Sequence, residues 1–390
     1  MKILLLGEYS NVHATLADGL RQLGHEVVVA SNGDFWKDYP RDIDLARDTS
    51  RRWSGLRLLA KLMRHLPRMR GYDIVQLINP MFLELKAQRI LPVYRYLRHH
   101  NRRVVLGAFG MDHYWVSTCS APTPPFKYSD FNIGTQQRHN IEAETERHDW
   151  IGTAKERLNK LIAADADAIV AGLYEYHRCY QPAFPEKTTY IPLPIKRETS
   201  REEREESNTS TDCKACPRQT RISALPKASP LHIFIGIQRT RHAYKGTDVM
   251  EHVAVQLLQE HPTLFRLVKA ENVPFAEYQR LMDGSDILLD QLYSYSPSMN
   301  TLLAMQKGLV CVGGGEEEIY DLLGEPALRP VVNVEPTADS VRQALLHLIT
   351  HPDEVQRRKA ESIAFVAKHH DHLRVAQQYA ELYQKLLIDN

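Results

Sequence analysis

Hydroxyls, amides and cations able to hold an anion gather in two stretches of this sequence. The first runs from Asp286 to Gly315 and reads as strand, polar loop, helix, strand and glycine loop. Ser296 is a favourable N-cap, Pro297 suits the first helical position, and Gly308 suits the position just past the end. A helix that begins directly after the carboxyl end of a strand turns free backbone N–H groups and a positive dipole end toward the crevice of an α/β sheet. Ser294, Ser296 and Ser298 add hydroxyl donors there, and Tyr295, Met299, Asn300 and Thr301 complete the candidate anion-binding set. An ordinary capped helix buried against a sheet carries the same pattern.

The second stretch, Gly236-Ile-Gln-Arg-Thr-Arg-His-Ala-Tyr-Lys-Gly-Thr, places Arg239, Arg241 and Lys245 between a strand and a helix. Cations so placed can neutralise a leaving diphosphate without a metal. The plainer alternative is a solvated surface cluster. Near the start of the chain, Gly7-Glu-Tyr-Ser-Asn-Val-His follows a strand, where Gly7 allows close backbone approach to a ligand and Asn11 opens the next helix. No Gly-x-Gly-x-x-Gly is present and no acid ends the second strand, so a nicotinamide enzyme is not expected. Gly110-Met-Asp-His-Tyr-Trp follows a further strand, leaving Asp112 and His113 as reacting groups or as a loop cap.

Alternating strands and helices must position these groups. In the first half, Lys2–Leu6, Glu26–Ala30, Asp73–Ile78, Arg103–Ala108, Asp167–Ala171 and Thr188–Ile191 read as strands. Asn11–Leu23 reads as a helix closed by Gly24. Strands separated by helices imply a parallel sheet, because parallel neighbours need a crossover. From Arg201 to Asp212 only Arg, Glu, Asp, Ser, Thr and Asn occur, a composition that cannot bury a core. Alternation resumes with Leu231–Ile237, Phe265–Lys269, Asp286–Asp290, Leu309–Gly313 and Val331–Val334. The expected division is a first α/β domain over 1–196, a linker or insertion over 197–230, a second α/β domain over 231–370, and a terminal helix over 371–390 packing across both lobes.

With 390 residues, two domains are the default. A formal net charge of +1 argues against a generic binder of nucleic acid or other polyanions. The opening apolar run is too short for a signal peptide, and five scattered cysteines do not form a disulfide framework; both suggest a cytoplasmic, reduced setting. Arg51 to Arg70 holds seven Lys or Arg and no acid, interleaved with Trp53, Leu56, Leu59, Leu62, Met63 and Leu66. Such a helix either lies on an anionic membrane, at the inner face, or presents a solvated basic face. Asp165-Ala-Asp167 resembles a metal-binding pair but sits at a helix–strand junction, and Cys213-Lys-Ala-Cys216 has zinc spacing without a second pair.

Lys245-Gly-Thr-Asp, Asp286-Ile-Leu-Leu, Leu303-Ala-Met-Gln-Lys-Gly and Gly314-Gly-Glu-Glu-Glu318 resemble the C-terminal lobe of family 4 retaining glycosyltransferases. Leu20-Arg-Gln-Leu-Gly-His-Glu-Val and Ile191-Pro-Leu-Pro-Ile resemble that family's first lobe and interlobe segment. The resemblance implies the GT-B fold, with two doubly wound Rossmann-like domains facing across a cleft. It further implies a nucleotide-sugar donor in the second domain and a saccharide or lipid-linked acceptor approached from the first. Hexosyl transfer would proceed with retention, and no metal or cofactor is implied, the nucleotide sugar being a substrate. Arg239 and Lys245 match the diphosphate-binding pair, Glu318 matches the acid after the double glycine, and Asp112 lies where the first lobe faces the donor sugar. One departure stands out: Tyr295 and Leu303 occupy the positions of two family glutamates, and Leu303 cannot accept a hydrogen bond from a ribose hydroxyl. The same fold also serves nucleotide-sugar isomerases, and the missing glutamates suit a non-catalytic nucleotide-sugar binder.

Overall fold

In the computed structural model, residues 1–48, 50, 52–196 and 230–388 are described, apart from the side chain of Trp36. The proposed linker, apart from Pro230, and the Cys213/Cys216 pair lie outside the described residues. The first lobe runs β1 (Lys2–Leu6), α1 (Val12–Gln22), β2 (Glu26–Ser31), β3 (Ile43–Asp44), α2 (Ser54–His65), β4 (Ile74–Leu77), α3 (Ala87–His100) and β5 (Arg103–Ala108). It continues through α4 (His113–Cys119), a small hairpin β6 (Asn132–Ile133) and β7 (Gln136–Gln137), α5 (Ile141–Trp150), α6 (Ala154–Asp165), β8 (Ala168–Ala171), α7 (Tyr174–Tyr180) and β9 (Thr188–Tyr190). The second lobe runs β10 (Leu231–Ile237), α8 (His242–Lys245), α9 (Thr247–Glu260), β11 (Phe265–Glu271), α10 (Phe275–Asp283), β12 (Ile287–Leu289) and α11 (Met299–Gln306). It ends with β13 (Val310–Gly313), α12 (Glu317–Leu323), β14 (Val332–Asn333), α13 (Ala338–Thr350) and α14 (Pro352–His369), and α15 (His372–Ile388) closes the chain.

Each lobe is built on a parallel sheet. The first has order β3-β2-β1-β4-β5-β8-β9 and the second β11-β10-β12-β13-β14. The strands are near-continuous apolar runs such as Ile3–Leu6 and Ile287–Leu289 because helices cover both faces. Both orders reverse direction beside the first strand of their lobe, so loops at the carboxyl ends of β1 and β10 open into a crevice. The two-residue strand β3 and the hairpin β6–β7 were not anticipated: unlike the equally short β14, which lies within the apolar run Val331–Val334, they have no run of apolar residues around them.

The terminal helix departs from expectation. Val375, Ala376, Tyr379, Ala380 and Tyr383 of α15 pack with Ile3, Leu5, Leu16, Ala17 and Leu20, so the apolar face of α15 rests on the first lobe. Gly19 makes this possible: a Cβ there would lie 2.7 Å from both Ala376 Cβ and the His372 carbonyl oxygen. The crossing between lobes falls one turn earlier, where the Ile195 amide donates to the His370 carbonyl at 2.7 Å and the His372 amide to the Ile195 carbonyl at 3.1 Å. Tyr383 also donates its hydroxyl to Gln76 Oε1 at 2.6 Å from a fully buried position.

Tyr383→Ala removes a buried ring and this hydrogen bond together. It should destabilise the protein by about 3 to 5 kcal/mol in urea unfolding, whereas a change near zero would mean that α15 contributes little to the first lobe.

Candidate active site in the cleft between the lobes

On one side the lobes are joined by a buried seam. Trp115, Phe126, Tyr128 and Phe131 of the first lobe share one apolar cluster with Tyr244, Tyr295 and Ile319 of the second. Arg138 crosses the seam, donating to the carbonyls of Ala243 at 2.7 Å and Tyr244 at 3.1 Å and stacking 3.3 Å from the centre of the Tyr293 ring. Glu316 accepts from Lys127 Nζ at 2.8 Å, from the Tyr128 hydroxyl and from Asn333 Nδ2 at 3.0 Å. Lys127 also donates its amide to the Tyr295 hydroxyl at 2.6 Å.

The most consequential contact in the seam is made by Glu175 at the start of α7. One carboxyl oxygen accepts the Tyr295 amide at 2.6 Å, the Ser296 amide at 2.9 Å and the Ser294 hydroxyl at 3.1 Å. The other accepts the Ser296 hydroxyl at 2.6 Å. The anion hole anticipated around Ser294 to Ser296 thus exists, but a carboxyl group of the chain itself fills it. Held around Glu175, these residues cannot start the helix: α11 begins at Met299 with Ser298 as its N-cap, not at Ser296. Ser296 and Tyr295 are buried in the seam and leave the candidate ligand set.

On the open side lies a cleft of about 920 Å³ lined by both lobes. The second lobe supplies Arg241, Lys245, Asp290, Ser298, Met299 and Asn300, and the first supplies Tyr9, Ser10, Asn11, Lys37 and Phe109. Of the residues singled out in the sequence, Lys245, Ser298, Met299, Asn300 and Asn11 therefore meet at one place. Burial pushes the half-buried Lys245 ammonium below its ordinary range, while nearby Asp290 opposes that shift. Asp290 braces the start of α11, accepting from Asn300 Nδ2 at 2.8 Å and from the Thr301 hydroxyl at 2.7 Å. Thr301 is buried and acts through this contact rather than lining the cleft. The Ser298 side chain makes no capping bond to the first turn. The turn's amides at Met299 and Asn300 therefore stand at the cleft wall as orphan donors.

Four expectations need correction. Arg239 does not line the cleft: its exposed guanidinium is held by Glu271 at 2.7 Å and Glu251 at 3.1 Å, while Arg241, two residues on, faces the cavity. Asp112 is the N-cap of α4, fully buried, accepting from the Trp115 amide at 2.9 Å and the Tyr180 hydroxyl at 2.8 Å, so it cannot touch a ligand. Gly7 has φ +89°, and a Cβ there would stand 2.3 Å from Ile78 Cγ2, so backbone conformation and internal packing both call for glycine. Glu318 sits half-buried in the first turn of α12 and does not line the cleft. The Asp165/Asp167 pair joins its junction as the simpler reading had it, Asp165 accepting from Tyr94 and Asp167 from the Val104 amide.

Sequence reasoning passed over Lys37, Asp290, Glu175 and Gln306. Asp290 had a signal, since it ends a strand directly before the anion-binding loop; Glu175 had none, because its partners lie some 120 residues away. The first-lobe rim is conformationally unusual, with Ser10 (φ 51°) and Asn11 (φ 70°) both left-handed without being glycine. Such strain persists where the surroundings over-determine it, often at ligand sites. Here the Ser10 amide donates to Asp34 at 2.8 Å, and Lys37 binds Asp34 at 2.6 Å. The α1 terminus itself is closed to anions, because Glu8 accepts the His13 amide at 3.2 Å and the Ala14 amide at 2.8 Å.

No family model matches this chain, and a search of curated proteins finds no match. Solved structures do resemble it. Sucrose-phosphate synthase from Thermosynechococcus elongatus superposes with a TM-score of 0.60 at 13% identity, over 100% of both chains. HepE from Anabaena, solved with UDP and glucose, gives 0.58 at 12% identity over 99% of this chain and 100% of that one. UDP-GlcNAc 2-epimerase from Neisseria meningitidis, bound to UDP-GlcNAc, gives 0.53 at 12% identity over 99% and 100%. These likenesses establish the GT-B fold: two Rossmann-like domains facing each other across a cleft.

Burial pushes Glu8 up to about 8 from an ordinary 4.5 and Asp112 up to about 7 from 3.8. The folded protein thus holds protons that the unfolded chain releases, and stability present at low pH is lost as pH rises through these values. Thermal melts of Glu8→Gln should fall less steeply between pH 5 and pH 8, the window set by Glu8, than those of the unmodified protein. Parallel profiles would show that Glu8 ionises normally.

Proposed function

We propose that this chain is a glycosyltransferase that moves a sugar from a nucleotide donor, held mainly by the second lobe over residues 231–370, to a saccharide or lipid-linked acceptor entering beside the first lobe, residues 1–196. The observation that carries the reading is the convergence of Lys245, Arg241 and the Met299 and Asn300 amides on one wall of the interlobe cleft. Two cations and two oriented donors stabilise a departing diphosphate as negative charge builds on it, which lowers the barrier without a metal. Lys245 is desolvated, so its attraction for an arriving phosphate is little screened. Asp290 repels that phosphate, and its hydrogen bonds to Asn300 and Thr301 tie its charge to the helix start.

Leu303 faces the cleft where the family resemblance places a ribose-binding glutamate. Gln306, one turn further along α11, takes that role: its amide nitrogen donates to the Lys196 carbonyl, leaving its oxygen to accept a ribose hydroxyl. Retention of configuration and hexosyl transfer follow from the family resemblance. The solved glycosyltransferases of this fold support transfer, and the epimerase of the same fold supports a second reading in which the sugar nucleotide is interconverted with no acceptor present.

Incubating the protein with a panel of uridine, guanosine and adenosine diphosphate sugars distinguishes these readings. Transfer or slow donor hydrolysis supports the first, interconversion the second, and binding without turnover a non-catalytic role. Lys245→Ala and Arg241→Ala should each lower turnover roughly 100-fold or more, while Arg239→Ala should change it by less than about threefold. Equal losses at all three positions would remove the distinction between the cleft and the surface ion pair.

A further inference from the structure

The helix α2 (Ser54–His65) carries an outward face that the first lobe does not use. Only Leu58 and Leu62 of this helix are buried. On the opposite side Leu56 is 52% exposed and Met63 60%, two turns apart, and Trp53, the left-handed residue that precedes the helix, is 67% exposed. Arg52, Arg57, Arg64 and Arg68 flank them, all exposed. None of these four arginines pairs with a carboxylate among the described residues. The one cation of the helix that does, Lys61, points to Asp44 on its inner side. Burying Trp53, Leu56 and Met63 under a further element of this chain would leave the row of arginines desolvated and unpaired, so the occupant must bring negative charge as well as apolar depth.

An anionic bilayer surface meets both demands. Tryptophan and methionine settle at the boundary of headgroups and acyl chains, while arginines reach the phosphates above them. Among the described residues no helix is long and apolar enough to cross a membrane, so any attachment through this surface lies in the interfacial plane. A groove of about 670 Å³ opens next to the start of α2. Its charged lining is mixed, Arg47, Lys86 and Lys155 beside Glu84 and Asp149, with Lys155 paired to Asp149 at 2.6 Å, and Arg47 donates to the Ser54 hydroxyl at 3.1 Å. A substrate carried in the lipid plane would find this polar groove beside the docked helix.

We propose that the outer face of α2 docks the protein on anionic lipid bilayers. The test is sedimentation of the full chain with vesicles of phosphatidylcholine, with or without phosphatidylglycerol, at low and high salt. The protein should pellet with the anionic vesicles, at least about tenfold more than with neutral ones, and salt should release it. Trp53→Ser with Met63→Ser, and separately Arg57→Gln with Arg64→Gln and Arg68→Gln, should abolish pelleting while thermal melting and donor hydrolysis stay unchanged. Binding that survives both sets of changes, equal binding to neutral vesicles, or protein that remains in the supernatant would each overturn the proposal. So would self-association in lipid-free solution that the same substitutions dissolve, since this face would then cover a second copy. Sedimentation does not depend on turnover, so loss of the transferase assignment would leave this outcome readable.

Discussion

The arrangement of the cleft depends on one buried carboxyl group. Glu175 enters the second lobe from the first and satisfies two backbone amides and two hydroxyls of the Ser294–Ser296 loop. Left without that partner, the Tyr295 and Ser296 amides and the Ser296 hydroxyl would be buried and unmatched, a cost of roughly 1 to 3 kcal/mol for each, while the Ser294 hydroxyl would keep the Ser296 carbonyl at 2.7 Å. With it, the loop wraps the carboxyl, α11 is delayed to Met299, and its first amides emerge at the cleft wall instead of in the seam. The Glu316 and Arg138 contacts close the same side, so the lobes are joined along one edge and open along the other.

This geometry gives the cleft its electrostatic character. Among the described residues, two possible anion positions are already taken by the chain's own acids, Glu8 at the start of α1 and Glu175 at the Ser294–Ser296 loop. The wall formed by Lys245, Arg241 and the first turn of α11 keeps donors free for a ligand. The near-neutral net charge of the whole chain fits such local provision. The left-handed Ser10 and Asn11 face this wall from the other lobe, fixed through Asp34, so the opposite rim is set in advance of any ligand.

Much of the fold was legible because parallel sheets leave a coarse signal. Runs such as Leu231–Ile237 and Arg103–Ala108 are apolar on both faces and separated by helical periods, and both strands span those residues in the structure. That Lys245 and Met299–Asn300 would stand at the crevice was legible too, since strand-end loops and helix starts are local features. What was hidden is long-range partnership. Ser296 has the local chemistry of a helix cap, and only Glu175, distant in sequence, turns it to another use. Arg239 and Arg241 are equivalent in sequence, and the carboxylates of Glu251 and Glu271 decide which of them is spent on the surface. Asp112 illustrates the converse, a strand-end acid whose neighbours Trp115 and Tyr180 make it structural.

A crystal structure of the protein soaked in turn with uridine, guanosine and adenosine diphosphate tests the central claim most directly. At least one of them should place its diphosphate within hydrogen-bonding distance of Lys245 Nζ and of the Met299 or Asn300 amide, with Glu175 still seated in its loop. A diphosphate bound elsewhere, or one that displaces Glu175 and sits against Tyr295 and Ser296, would contradict the account.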